Sequence, residues 1–444
     1  MKTLIGLLLA ALAQAIPVPS SPVEPIGAIV DAFRTHSLVA LGDEHGSEKG
    51  HVFRLALIRD PRFASVVNDI VVEFGNARYQ SVMDRFVRGE DVKDEELRKV
   101  WEDTTQVEYE WDLPIYEAFF RTVREVNASL PRERQLRILL GDPPIEWENV
   151  HTREDLMKWL DMGRDAHAVG VIRREVLDKG RHALVIYGTT HLYRKNPVPG
   201  AADEWGFGLV AQLEKGGITN VFSVSPETRR DLRTIQPDVA SWPVPSLAML
   251  RGTQLGAANN TLSPQQRRVN LEEQFDALLY LGLPATMSIS RLSPALCSRP
   301  GYLEMRTSRL ALIAPPPGAP MSPVDSLKAY CANPSGNVEV RDNDPRITDS
   351  VRQTIREMAS GTLKPERIAS ESRADLVPRL TEIGQRYLAL AGELQSLTLV
   401  EDAPVVGGTR TRRYRSVFAG GLKVQWTVRF ASDGAIVAMA ARPE

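Results

Sequence analysis

The sequence predicts an α/β fold, a mainly parallel sheet flanked by helices, followed by a small C-terminal α+β module of a helix and an antiparallel meander. Three observations carry this. From about residue 24 to 290, short apolar runs alternate with long amphipathic stretches. The short runs are continuous in Val, Ile and Leu, as strands buried on both faces of a parallel sheet must be. In the last 50 or so residues the pattern changes to short strand-like segments separated by glycine-bearing turns.

The first residues read as a secretory signal peptide over 1–15. Lys2 precedes an apolar run at 4–12, and Ala13-Gln14-Ala15 supplies a small-residue cleavage site. The run is shorter than the roughly 20 residues that span a bilayer, and no later window is apolar enough for a transmembrane segment. The mature protein is therefore expected to be exported and soluble, in the periplasm or outside the cell.

An α/β domain is expected over 24–295. Its strands are Leu38-Val39-Ala40-Leu41, Ile70-Val71-Val72-Glu73-Phe74, Leu136-Arg137-Ile138-Leu139-Leu140, Ala183-Leu184-Val185-Ile186-Tyr187 and Asn220-Val221-Phe222-Ser223-Val224. Between them the spacing predicts helices over about 51–60, 76–89, 94–103, 113–128 and 153–179. Tyr116, Phe119, Phe120, Val123 and Val126 form a core-facing stripe at three- and four-residue spacing. Residues 296–345, richer in Pro, Ser and Asn, read as a connector. The C-terminal module follows over 346–444, with a helix at about 373–394 and strands near 397–401, 410–418, 422–431 and 434–441. The basic cluster at 410–415 reads as a solvated strand face.

Composition removes several function classes. Lys and Arg number 54 against 56 Asp and Glu, so the chain lacks the basic footprint of a nucleic-acid partner. Its only cysteines, Cys297 and Cys331, rule out a CxxC zinc site, an Fe–S cluster and a dense disulfide framework. In an oxidising compartment the two either close one disulfide or stay as separate buried thiols. No Gly-x-Ser-x-Gly elbow, P-loop or dinucleotide fingerprint occurs. Histidine and carboxylate chemistry remain.

That chemistry gathers at strand ends, where parallel α/β sheets build their sites. The first strand ends in Gly42-Asp43-Glu44-His45, the second in Glu73-Phe74-Gly75-Asn76, the third in Gly141-Asp142 and the fourth in Gly188-Thr189-Thr190-His191. With a metal, His45, His191, Glu73 and Asp43 would make an open hydrolytic centre. Without one, His45 is a general base oriented by a carboxylate such as Glu73, with Glu44 and His191 beside it. Arg78, early in the following helix, is placed to bind a carboxylate or oxyanion. Of Arg164 and Asp165, neighbours that do not share a helix face, at most one enters the site. His51 lies off the face of His45. Trp101, Tyr109, Trp111 and Tyr116 read either as core or as the wall of an apolar cleft.

The two Gly-x-x-His motifs (residues 42–45 and 188–191), Glu73 with Arg78, and the Arg164-Asp165 pair together resemble the erythromycin esterase / ChaN / TraB–Tiki superfamily over about residues 30–290. Asp43 stands where many members have Glu directly after the glycine, and Glu44 follows one position later. The resemblance implies an α/β domain with histidines and glutamates facing a strand-end cleft. It also implies one of two functions. The first is an exported hydrolase that activates water on an ester, lactone or peptide, with a divalent transition metal where the Tiki pattern applies. The second is a periplasmic haem- or metal-binding uptake protein, as in the ChaN branch. The partner expected is a small-molecule or peptide substrate. The oligomeric state is left open.

Overall fold

A computed structural model describes residues 17–196, 198, 206–227, 230–260, 267–314, 319–334 and 338–444. The signal peptide expected at 1–15 lies outside them. No helix among the described residues is long and apolar enough to cross a membrane.

The first sheet has seven strands: β1 (Leu38–Asp43), β2 (Asp69–Asn76), β3 (Arg137–Asp142), β4 (Ala183–Gly188), β5 (Val221–Glu227), β6 (Ser246–Met249) and β7 (Ala277–Tyr280). Their order is β3-β2-β4-β1-β5-β7-β6. All neighbours run parallel except the edge pair β6 and β7. β6 and β7 are each four residues long, too short for periodicity to reveal.

Burial on both faces explains the continuous apolar runs. Val39, Leu41, Ile70, Val72, Ile138, Leu140, Leu184 and Ile186 enter the core on one face. Leu38, Ala40, Val71, Leu139, Ala183 and Val185 enter the core on the other. Alternate side chains of a strand point to opposite faces, so each run feeds two cores and has no polar side.

The stretch predicted as one helix over 153–179 is two, Arg153–Asp161 and Arg164–Glu175. Gly163 separates them at φ 79°, a left-handed conformation that favours glycine. The break puts Asp165 in the first turn of the second helix.

Residues 294–332, within and beside the stretch that reads as a connector, carry the helices Pro294–Cys297, Tyr302–Leu310 and Pro323–Ala332. Their Tyr302, Leu310, Leu327 and Tyr330 pack into the core of the first sheet. Two of these prolines stand at helix starts, where the missing N–H costs nothing. Cys297 and Cys331 are joined by a disulfide.

The second sheet is an antiparallel meander: β8 (Leu394–Asp402), β9 (Arg410–Phe418), β10 (Lys423–Phe430) and β11 (Ile436–Pro443). The helices Pro345–Ser360 and Arg373–Ile383 contribute Val351, Ile355, Met358, Leu376 and Leu380 to its core. The expected solvated face at 410–415 is corrected here. Arg412 is 0% exposed, 3.0 Å from Asp402 and 3.2 Å from Asp342. Arg413 meets Glu401 at 2.9 Å. Acidic partners 8 to 70 residues away neutralise a cluster that looks purely basic in sequence.

Candidate active site

The four polar strand ends belong to adjacent strands β3, β2, β4 and β1. Asp43 lies opposite Gly188 in the ladder, and Asn76 opposite Asp142. Glycine is needed at 188 for close approach. A Cβ there would stand 2.9 Å from His45 Cε1 and 3.3 Å from Glu73 Oε2, so the His45 ring and the Glu73 carboxylate flank the same backbone.

Asp43 organises one half of the site. It is 3% exposed and its carboxylate meets three groups. One oxygen pairs with Arg54 from the helix Glu48–Arg59. The other accepts from the Tyr116 hydroxyl at 2.9 Å and lies 3.0 Å from His45 Nδ1. Tyr116 in turn receives the Gly46 N–H at 3.1 Å. Burial opposes ionisation of Asp43, but the Arg54 charge and the His45 and Arg54 hydrogen bonds outweigh it. They hold the carboxyl far below the usual carboxylate range. His45 responds in the opposite sense. Burial would lower its pKa, yet the hydrogen bond and charge of Asp43, with Glu73 and Glu110 beyond, raise it. The edge of Trp111 packs against the His45 ring at 4.7 Å between centroids.

His191 organises the other half. Its Nδ1 lies 2.7 Å from Asp165 Oδ1 and its Nε2 3.3 Å from Glu73 Oε1. Glu73 also accepts the Gly188 N–H at 2.6 Å. Flanked by two carboxylates against the penalty of burial, His191 is pushed up to about 10 and is an imidazolium at neutral pH. Glu73 is buried, which favours its neutral form, but the His191 hydrogen bond and charge keep it ionised.

Asp142 sits deeper. It accepts the Thr105 N–H at 2.7 Å and the Thr105 hydroxyl at 2.5 Å. Burial lifts it to about 7 in spite of nearby Arg164. Arg164 itself donates to Gln106 Oε1 at 2.9 Å and to the Thr105 carbonyl at 3.1 Å. Of the Arg164-Asp165 pair, Asp165 is the one that touches a motif histidine.

A cavity of about 450 Å³ lies over the ends of β4, β1 and β5. Asp43, Glu44 and His45 form one side. Thr189 and Thr190 come from the end of β4, and Ser225, Glu227 and Arg230 from the end of β5. Gln385, just past the helix Arg373–Ile383, reaches the cavity from the C-terminal part. The β5 contribution and Gln385 escaped the sequence reading. Its signal was present in the polar Ser225-Pro226-Glu227 that ends an apolar run.

Two groupings expected from the sequence are not brought together here. Arg78 is not among the residues lining the cavity. It is held at the surface by Glu148, 2.6 Å away. The metal centre expected from Asp43, His45, Glu73 and His191 is not formed. Among the described residues no group of three or more His, Cys, Asp or Glu side chains is placed to hold a metal ion. The donor chemistry explains this. Both His191 nitrogens face carboxylates, Asp165 at 2.7 Å and Glu73 at 3.3 Å, and the Asp43 oxygens are taken by Arg54, Tyr116 and His45. His51 is buried and unpartnered at Nδ1 among the described residues. Burial and nearby Arg54 lower it to about 4, so it is neutral. Trp101, Trp111 and Tyr116 belong to the core. Only Trp111 and Tyr116 touch the Asp43–His45 pair.

No protein-family model matches the chain, and no curated protein does. Several solved structures are similar. A protein of Bacillus cereus is 10% identical with a TM-score of 0.41, covering 62% of this chain and 97% of its own. A mutant of the erythromycin esterase EreC in its open conformation is 12% identical with a TM-score of 0.41, covering 60% and 94%. ChaN of Campylobacter jejuni, solved with cofacial haem, is 11% identical with a TM-score of 0.33, covering 57% and 90%. The erythromycin esterase and ChaN are members of the superfamily that the motifs resemble. At these scores the likeness assigns no residue its role.

Proposed function

We propose that this protein is an exported, metal-independent hydrolase of esters or lactones in which His45 is the general base. The observation that carries the reading is the Asp43–His45 pair at the wall of the cavity. The imidazole is fixed at Nδ1 by a buried, ionised carboxylate, and its ring lines the 450 Å³ space. A carboxylate so placed selects the Nδ1–H tautomer and stabilises the imidazolium that forms when Nε2 takes a proton.

His45 Nε2 removes a proton from water as the oxygen attacks the ester carbonyl. The tetrahedral intermediate then breaks its bond to the alcohol oxygen, which leaves with the proton returned by His45. Arg230 stands on the cavity wall, where the developing oxyanion would meet a positive charge. Glu73, His191 and Asp165 form the charged frame that fixes the backbone at Gly188 beneath the His45 ring. Glu44 lines the cavity beside the base.

The test is hydrolysis of p-nitrophenyl acetate and butyrate by the purified mature protein, before and after exhaustive chelation. Activity that survives chelation and falls at least about 10³-fold in His45→Asn supports the reading. Loss of activity on chelation, restored by a divalent metal, overturns metal independence. An intact rate in His45→Asn overturns the role of the base. A Soret band on haem addition, abolished in His45→Asn, would turn the function toward the haem handling that the ChaN resemblance implies.

A further inference from the structure

A second cavity opens from the same histidine. It encloses about 220 Å³ and shares Glu44 and His45 with the first. The two spaces differ in chemistry. The larger is walled by Thr189, Thr190, Ser225, Glu227, Arg230 and Asn260, among others. The smaller is walled by Ile289, Ile383, Leu388, Val424, Trp426 and Ala441, together with other mainly apolar side chains. Part of its wall belongs to the C-terminal meander, where Trp426 is 0% exposed and its Nε1 donates to Ser416 at 2.8 Å. The one polar group of that indole is therefore satisfied away from any ligand.

We propose that this hollow is the acyl-binding subsite, and that the substrate is an ester joining a compact apolar acyl group to a larger polar or hydroxylated alcohol. The proposal rests on the hydrolase reading above and adds the class of substrate. The geometry supplies the argument. The scissile carbonyl must lie at His45, and His45 is where the apolar and polar spaces meet. A substrate spanning both has its apolar half in one and its polar half in the other. Volume sets the size limit. An apolar cavity of roughly 150 Å³ accepts a benzene ring, so 220 Å³ takes a butyryl, hexanoyl or benzoyl group and excludes a long fatty chain. Burial of each added methylene in such a space favours binding about four-fold. The C-terminal meander thus builds part of the specificity of a site whose base lies on the first sheet.

The experiment compares p-nitrophenyl acetate, butyrate, hexanoate and dodecanoate, alongside acetate esters of alcohols of rising chain length. In the wild type, kcat/KM is expected to rise roughly ten-fold from acetyl to butyryl and to collapse at dodecanoyl. Ala441→Leu, which fills the hollow from β11, is expected to lower the ratio of hexanoyl to acetyl turnover about ten-fold. Ile383→Ala, which widens it, is expected to shift the optimum to longer acyl groups. An acyl-length profile that both folded variants leave unchanged overturns the proposal, as does a length preference that follows the alcohol instead. If the wild type cleaves no ester, the hydrolase reading fails on its own. Hexanoate binding, followed by tryptophan fluorescence, then decides about the hollow. Binding that Ala441→Leu abolishes keeps it as an apolar ligand site, and no binding removes it.

Discussion

Asp43→Asn acts on stability and on activity by separate routes. The substitution removes the negative charge that balances Arg54, a guanidinium only 3% exposed. Leaving a buried charge without its partner costs about 3–5 kcal/mol, which for a domain of this size lowers the melting temperature by roughly 10 °C. The catalytic effect is independent. Without the carboxylate charge, burial of His45 is no longer outweighed, and its pKa falls. The rise of kcat/KM with pH should then have its midpoint at lower pH than in the wild type. The plateau should drop about 10²–10⁴-fold, because the imidazolium formed in the transition state has lost its counter-charge. The double variant Asp43→Asn/Arg54→Met separates the two effects. With no uncompensated charge it should regain most of the stability and none of the activity. Differential scanning calorimetry and a pH–rate profile on ester substrate measure both. An unshifted midpoint with a plateau within three-fold of wild type would refute the assignment of Asp43 as the group that orients and charges His45.

Asp142, lifted to about 7, binds its proton more tightly folded than unfolded. Its contribution to stability is therefore complete below about pH 4 and is lost as pH rises through 7, by up to about 4 kcal/mol. In Asp142→Asn that decline should vanish between pH 4 and 7, as measured by urea unfolding; an equal decline in both proteins would count against a buried neutral acid. His191, raised to about 10, behaves in the same sense at higher pH: its contribution is complete below about 6.5 and fades as pH rises through 10. His191→Gln should flatten that second slope. The Cys297–Cys331 bridge spans a separation of 34 residues, and the chain-entropy estimate for such a loop is about 3–4 kcal/mol. Cys297→Ser or reduction should lower the melting temperature by several degrees, and no change would show that the bridge leaves the unfolded chain unconstrained. Arg412→Met leaves Asp342 without that guanidinium partner, although Asp402 keeps Arg410. A loss of about 1–3 kcal/mol, read from urea unfolding, is expected; an unaltered unfolding curve would show the cluster to be energetically idle.

The parallel core of the first sheet was legible because burial on both faces writes itself into sequence as unbroken Val, Ile and Leu. The candidate site was half legible for a related reason. Polar residues that directly follow such a run stand at a strand end, and Asp43, His45, Glu73 and His191 were found in that way. Their partners were not. Asp165 meets His191 across 26 residues and only because Gly163 interrupts the helix. Tyr116 reads as one more member of an apolar stripe, since nothing in its spacing reveals that its hydroxyl lies 2.9 Å from Asp43. Arg54 occupies a buried position on its helix beside Phe53, Leu57 and Ile58. A cation on an apolar face is the one local hint of a buried acid. In the stretch 296–345, proline frequency suggested a linker, although prolines also open helices. The same ambiguity of composition made the 410–415 arginines look solvated, because their acidic partners are distant in sequence.

Strand order has a consequence for how the chain must be made. β1 leads into His45, and it pairs with β4 and β5. Neither partner is synthesised until residues 183 and 221 emerge. Meanwhile β2 and β3 can pair with each other while the two edges of β1 wait with a fully apolar strand between them. Non-local pairing of this kind slows folding and prolongs exposure of sticky edges. A chain whose folding begins only after its whole length is released avoids that exposure altogether.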